Sequence, residues 1–184
     1  WQGEGFGCHE LNEFSSLDRA LRVISYRLRF INRILKKPFS TENFITTEEI
    51  TTVKTRLIFI AQQTYFAKEY ESLKENKSIN RKSRLLTLNP FLDKNNLLRV
   101  GGRLSNAVLR FEEQHPIIIP EKSNVASLLV DFTHRILLHA EHNVMLRAIR
   151  QGFYIPRIKN LVRKLIRECT TCVIYKRKFQ QQIM

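Results

Sequence analysis

"THRILLHAEHNVMLRAIRQGFYIPRIKNLVRKLIRECTTC", residues 133 to 172, carries a pair of metal-ligating side chains at each end. His134 and His139 have four residues between them, 29 separate His139 from Cys169, and two separate Cys169 from Cys172. Zinc takes four donors in a tetrahedron, and two imidazoles with two thiolates are one of its standard structural sets. Each pair is spaced so that one short segment clamps one edge of that tetrahedron, and the residues between must fold to bring the clamps together. They read as helices. "NVMLRAIRQ" ends at Gly152, and Pro156 opens "PRIKNLVRKLIRE", which lays Ile158, Leu161, Val162, Leu165 and Ile166 along one stripe. Joined by "GFYI", the two form a helix-turn-helix-like unit, and Ser123 caps a third helix, "NVASLLVDFTHRI", that delivers His134. Four protein ligands close the coordination sphere and leave no place for a catalytic water, so the predicted ion is a single structural Zn2+. In a unit of about fifty residues such an ion supplies much of the folding free energy.

Other readings of these residues stay open at this level. His142 is a rival nitrogen donor to His139, although His139 directly follows the apolar "ILL" and precedes the small Ala140. His134 also fits a surface position and His139 a packed one. The cysteines alone fit a thiol redox pair, but such pairs stand just before a helix in a βαβ unit, and these two follow a helix. The order His-His then Cys-Cys reverses that of the zinc finger.

Upstream, "SSLDRALRVISYRLRFINRILKKP" predicts a helix capped by Ser15, with Asp18 at its positive end and Pro38 as its stop. Leu17, Leu21, Ile24, Leu28, Ile31 and Leu35 alternate in steps of four and three and form one apolar seam. A second helical stretch, "TTEEITTVKTRLIFIAQQTYFAKEYESLKEN", opens with a capping box of Thr46 and Glu49 and presents Ile50, Val53, Leu57 and Ile60. The two seams predict a helical hairpin; a coiled-coil dimer through the first is the alternative. Past the polar linker "KENKSINRKS", apolar runs broken at Asn89-Pro90, Asp93 to Asn96 and Gly101-Gly102 predict strands and a hairpin. "HPIIIP" adds a short β piece between two prolines. The expected fold is mainly α: a helical hairpin over residues 1–80, a small β element over 81–121 and a three-helix zinc-binding domain over 122–178, with 179–184 beginning a linker.

The 184 residues include 31 Lys and Arg against 17 Asp and Glu, a formal charge of +14. Such an excess is matched by a polyanion, and its spread along the chain favours nucleic acid over a single acidic partner site. A basic surface without such a partner is the bland alternative. No apolar run approaches the ~20 residues of a membrane span, and the N-terminus lacks the layout of a secretory signal, which predicts an intracellular protein with no membrane partner. The chain opens on Trp1 instead of Met, as a processed product or an excised piece would. Cys8, beside His9 near that end, reads as a free thiol.

"HPIIIP", "THRILLHA", "LRAIRQGFYIPRIKNLVRKLIRECTTC" and the basic tail resemble the zinc-binding N-terminal (HHCC) domain of retroelement integrases. "FSSLDRALRVISYRLRFINRILKK" and "LNPFLDKNNLLRVGGRL" are similar to the polyprotein of BEL/Pao long-terminal-repeat retrotransposons just before and into integrase, so the likeness runs from Phe14 to Met184. Glu141 departs from that pattern, where Gly is usual, as do Met145, where Thr is favoured, and Tyr154, where Trp is common. The resemblance implies a module for DNA integration that acts in a cytoplasmic particle and the nucleus and assembles as a homo-oligomer with the rest of integrase. It further implies that the Asp, Asp, Glu core for phosphoryl transfer begins beyond Met184, so this chain has no catalytic residues and is not an enzyme by itself. Asp131 and Glu168, with 36 residues between them, imitate the last spacing of such a core but lie beside the zinc ligands.

Binding is the function left. Arg147, Arg150, Arg157, Lys159, Arg163, Lys164, Arg167, Lys176, Arg177 and Lys178 crowd one stretch, opposed by Glu168 alone. They are the expected contacts to DNA phosphates, with Tyr154 either stacking on a sugar or base or sitting in the core. Few neighbours suit base-edge reading, so backbone contacts to element ends should dominate. Two alternatives to an integrase module are a domesticated, non-catalytic DNA- or chromatin-binding protein and a helical assembly scaffold.

Overall fold

A computed structural model describes residues 13–36, 44–75, 77–81, 83–102 and 109–179, with side chains to 177. Helix α1 spans Leu17–Ile34 and α2 spans Thr47–Tyr65. The N-cap of α1 is Ser16, one residue after the expected Ser15, and its side chain makes no capping bond. Burial of Leu17 sets that start, because the first helical residue already enters the core. The expected stop at Pro38 lies outside the described residues; Lys36, in the left-handed region at φ 50°, follows the last turn. Along the predicted seam Leu17, Leu21 and Ile24 are buried, Leu28 and Ile31 half-buried, and Leu35 is 54% exposed. The seam fades because α1 outruns the surface it packs on.

The capping box of α2 is formed: Glu49 N–H donates to Thr46 Oγ1 at 3.4 Å and Thr46 N–H to Glu49 Oε2 at 2.9 Å. The same carboxylate takes two bonds of 2.7 Å from Arg29 on α1, which pins the hairpin with a bidentate pair. Arg29 holds the Glu49 carboxyl below its ordinary range. The single helix expected through Asn76 breaks instead at Phe66, and α3 runs over Ala67–Lys74 so that Tyr70 reaches a second apolar cluster.

Four two-residue strands make a small sheet in the order β1-β2-β3-β4. β1 (Phe91–Leu92) and β2 (Leu98–Arg99) are the predicted hairpin, whose turn is tied by Asp93 Oδ1 accepting from Asn95 N–H at 2.8 Å and Leu97 N–H at 2.9 Å. Gly101 packs so closely on Asn89 that a Cβ there would collide with its carbonyl oxygen. The one-turn helix α4 (Phe111–Gln114) leads into β3 (Ile117–Ile118), which lies antiparallel to β2. β4 (Phe153–Tyr154) joins β3 in parallel, Ile117 opposite Phe153 and Ile118 opposite Tyr154. "GFYI" is therefore a strand as well as a joint between helices. Gln62 of α2, fully buried, inserts between β2 and β3: its Nε2 donates to Leu98 O (3.0 Å) and Ile118 O (2.6 Å), and its Oε1 accepts from Leu98 N–H (2.8 Å).

Helices α5 (Asn124–Ile136), α6 (His142–Arg150), α7 (Ile158–Glu168) and α8 (Thr170–Phe179) complete the described chain. The architecture is mainly α with a small sheet. One apolar cluster runs from Ala20 and Ile24 on α1 through Val53 and Ala61 on α2 to Val130 on α5, Met145 on α6 and Val162 on α7. The N-terminal hairpin thus packs directly on the His/Cys unit, whose core is larger than its own fifty or so residues provide. This packing takes up Leu17, Leu21, Ile24 and Leu28 of the α1 seam within the chain, as the expected hairpin requires. No helix among the described residues is long and apolar enough to cross a membrane.

Candidate metal centre

Ser123 starts α5 as predicted, its Oγ accepting from Ala126 N–H at 3.3 Å. Thirteen residues later the helix ends and His134, 2% exposed, points into the interior from the last turn. Leu138 and His139 then take two successive left-handed conformations, φ 50° and 64°. Non-glycine residues pay for that geometry in steric strain, and it persists here because surrounding bonds enforce it. His139 N–H donates to His134 O at 2.9 Å and Ala140 N–H to Leu137 O at 3.1 Å. A continued helix would carry residue 139 to another face; the reversal instead sets the two imidazoles perpendicular, 4.5 Å between centroids.

The thiols come from the far end of the helix-turn-helix. Cys169 is extended (φ −75°, ψ 114°) between α7 and α8, anchored by its N–H on Leu165 O at 2.9 Å, and Cys172 lies in the first turn of α8. Ligand atoms of His134, His139, Cys169 and Cys172 all lie within 4.8 Å of one another. His134 Nε2 is 2.9 Å from His139 Nδ1 and 3.4 Å from Cys172 Sγ; Cys169 Sγ is 3.3 Å and Cys172 Sγ 3.8 Å from His139 Nδ1. A zinc tetrahedron with Zn–N about 2.0–2.1 Å and Zn–S about 2.3 Å has edges of about 3.3–3.8 Å, close to this spacing.

Electrostatics agree with that use. Burial, then the neighbouring His139, pushes the His134 pKa down and keeps its ring neutral, the form that ligates metal. Burial, then Cys169, pushes the Cys172 thiol up, so a cation binding there displaces a proton. Nδ1 of His134 lies 3.3 Å from the sulfur of Met145, which is fully buried, and this leaves Nε2 for the metal. Met145 was legible in sequence only as a departure from Thr. His142 is not in the group: it begins α6 with Nδ1 3.3 Å from Asn143 Oδ1, so the choice of His139 as the second nitrogen donor stands.

Residues 122–178 match the family model of the integrase zinc binding domain. The match opens just before the Ser123 cap and contains all four donors. Neither the curated proteins nor the solved structures give a match to the chain. The four side chains of this integrase-type zinc-binding module fit one structural zinc ion, which they would hold between the end of α5 and the α7–α8 junction as a cross-link with protein ligands alone. Asp131 pairs with Arg135 at 2.9 Å and Glu168 approaches Lys164 at 3.9 Å, and neither belongs to the metal group.

The predicted nucleic-acid contacts fall on four elements of the module. Arg147 and Arg150 are exposed on α6; Lys159, Arg163, Lys164 and Arg167 are exposed along α7; Arg157 stands at the N-cap of α7 with φ 54°. Lys176 and Arg177 are exposed on α8, and the side chain of Lys178 lies outside the described residues, as do Cys8 and His9. Tyr154, half-buried on β4, packs with the second apolar cluster and also borders a surface hollow with Arg150, Arg157 and Lys159. The core reading of Tyr154 thus fits its packing.

Proposed function

We propose that this chain is the DNA-binding and multimerising part of a retrotransposon integrase of BEL/Pao type, acting in a cytoplasmic particle and in the nucleus. Phosphoryl transfer would belong to a separate Asp, Asp, Glu core, and this part would contribute binding and assembly. The observation that carries the reading is the placement of α7: the zinc knot fixes its C-terminal end, its apolar stripe faces the core, and its outer face offers Lys159, Arg163, Lys164 and Arg167. A rigid basic helix of this kind neutralises phosphates at lower entropic cost than a mobile tail does. The earlier expectation of contacts that follow backbone shape more than base sequence goes with it.

Binding of a labelled DNA duplex across a salt series tests the proposal. The expected result is a log K against log salt slope steeper than about −4, made shallower by roughly 1 for each α7 cation replaced by Gln. An affinity indifferent to salt would remove the DNA reading. A scaffold role is favoured by one observation: α1 turns a second apolar stripe outward through Val23, Tyr26, Phe30 and Ile34. That stripe is equally available for the self-association expected of an integrase, which sedimentation of the zinc-loaded chain would reveal.

A further inference from the structure

Three hollows join along the α6, β4 and α7 side of the module. The first, about 660 Å³, lies among Asn143, Arg147, Arg150, Gln151 and Lys159. Arg150 and Lys159 are its border with the second, about 300 Å³, which adds Tyr154, Arg157 and Asn160. Asn160 in turn borders the third, about 400 Å³, walled by Arg163, Lys164 and Arg167. Shared walls make the three one trench. The carboxylates on it are Glu113 in the first hollow and Glu168 in the third, so its middle is purely cationic. Among the described residues no carboxylate pairs with Arg150, Arg157, Lys159 or Arg163, and these exposed cations stand open to an anionic ligand.

Tyr154 and the amides decide which polyanion fits. The Tyr154 ring is held by packing against the cluster of Leu98 and Ile118, and the residue lines the smallest of the three hollows beside Arg150, Arg157 and Lys159. Each hollow also holds an amide side chain, Asn143 and Gln151 in the first and Asn160 in the other two. A duplex keeps its base faces stacked on one another and shows a recessed ring only its backbone. A single strand frees a base face to stack and an unpaired edge to bond an amide, while its phosphates follow cationic walls.

We infer that this trench takes a single-stranded nucleic acid, with one base stacked on Tyr154. The inference rests on the nucleic-acid reading above and narrows it to the strand state. Neither the cations nor the ring distinguishes DNA from RNA, so both belong in the test.

Fluorescence anisotropy of the full zinc-loaded chain would use a twelve-nucleotide DNA strand, the same sequence as RNA, and the blunt DNA duplex at matched salt. At least one single strand should bind about five-fold or more tighter than the duplex, and Tyr154→Leu should weaken the strand about ten-fold and the duplex less than about two-fold. Tyr154→Phe, which keeps packing and stacking, should bind as the unaltered chain does. Because Tyr154 also packs, Tyr154→Leu is first checked for zinc content and helical signal. Photo-cross-linking of a 5-iodouracil strand to the unaltered chain gives an independent reading, expected at Tyr154. Equal affinity for strand and duplex, or cross-links outside residues 143–168, would overturn the single-strand inference and leave the nucleic-acid reading standing. No salt-dependent binding to any probe would end that reading itself.

Discussion

The α1–α2 hairpin and the zinc-binding module share one apolar cluster yet are held in opposite ways. In the hairpin many moderate interactions act together: the seam of Leu17, Leu21 and Ile24, the Arg29–Glu49 pair, and the three bonds from Gln62 into the sheet. In the module the last turn of α5 and the α7–α8 junction meet through four ligand atoms within 4.8 Å, and the chain between tolerates three left-handed residues, Leu138, His139 and Arg157. Distributed packing weakens gradually when one group is lost. A cross-link at one point fails as a whole, so the two regions should respond differently to single changes.

Metal loss should have the largest effect. Cys172→Ser or His134→Ala should reduce bound zinc from one per chain to near none and remove a binding free energy on the order of 10 kcal/mol at neutral pH. Elemental analysis reads the metal, and hydrogen exchange should show α7 and α8 opening while α1 and α2 keep most of their protection. If the hairpin amides exchange as fast as those of the module, the contrast is wrong and the shared core makes one cooperative unit.

Next comes Gln62→Leu. It strands Leu98 N–H and two carbonyls in the interior, and urea unfolding should show a loss of about 2–4 kcal/mol, large for a single neutral side chain. Retained stability would mean that water or a shifted strand replaces the amide.

Acid should separate the regions further. Arg29 depresses the Glu49 carboxyl below 4.5, so the stability from this pair is present above that value and lost as pH falls through the depressed pKa. Glu49→Gln should cost about 1–2 kcal/mol at neutral pH and flatten that acid limb in the hairpin. In the module protons compete with metal for His134 and Cys172, so zinc affinity should fall as pH drops, whether or not Glu49 is present. Zinc titrations of both chains between neutral and acid pH check this independence.

The smallest expected change has the opposite sign. Leu138 is 86% exposed at φ 50°, so Leu138→Gly loses little burial and relieves strain; thermal unfolding should show a gain of about 0.5–1 kcal/mol. A loss instead would mean that this leucine makes a contact that its exposure conceals.

Much of this molecule was legible before its coordinates. Thr46 and Glu49 announce a helix start because the capping bonds are local, and Ser123 does the same for α5. The ligand pairs could be found because zinc demands particular donor atoms at short spacings. β4 was missed because two residues carry no periodicity, and Gln62 because a polar residue on a helix gives no sign that its partners stand 36 and 56 positions away. The left-handed pair Leu138-His139 gave no warning either, since leucine rarely enters that region and histidine, which does so more often, enters it too seldom to mark a turn by itself.

Donor identity, helix caps and charge are properties of neighbouring residues, and they were enough to propose the ligand pairs and the basic helix, with His142 left as a rival to His139 until the fold was known. Which ring nitrogen faces which sulfur, that the hairpin closes over the module, and that Tyr154 sits between the core and a cationic trench depend on distances between remote segments. Those distances follow from close packing of the whole chain, in which every side chain limits the space left to the others, and no local pattern encodes that constraint.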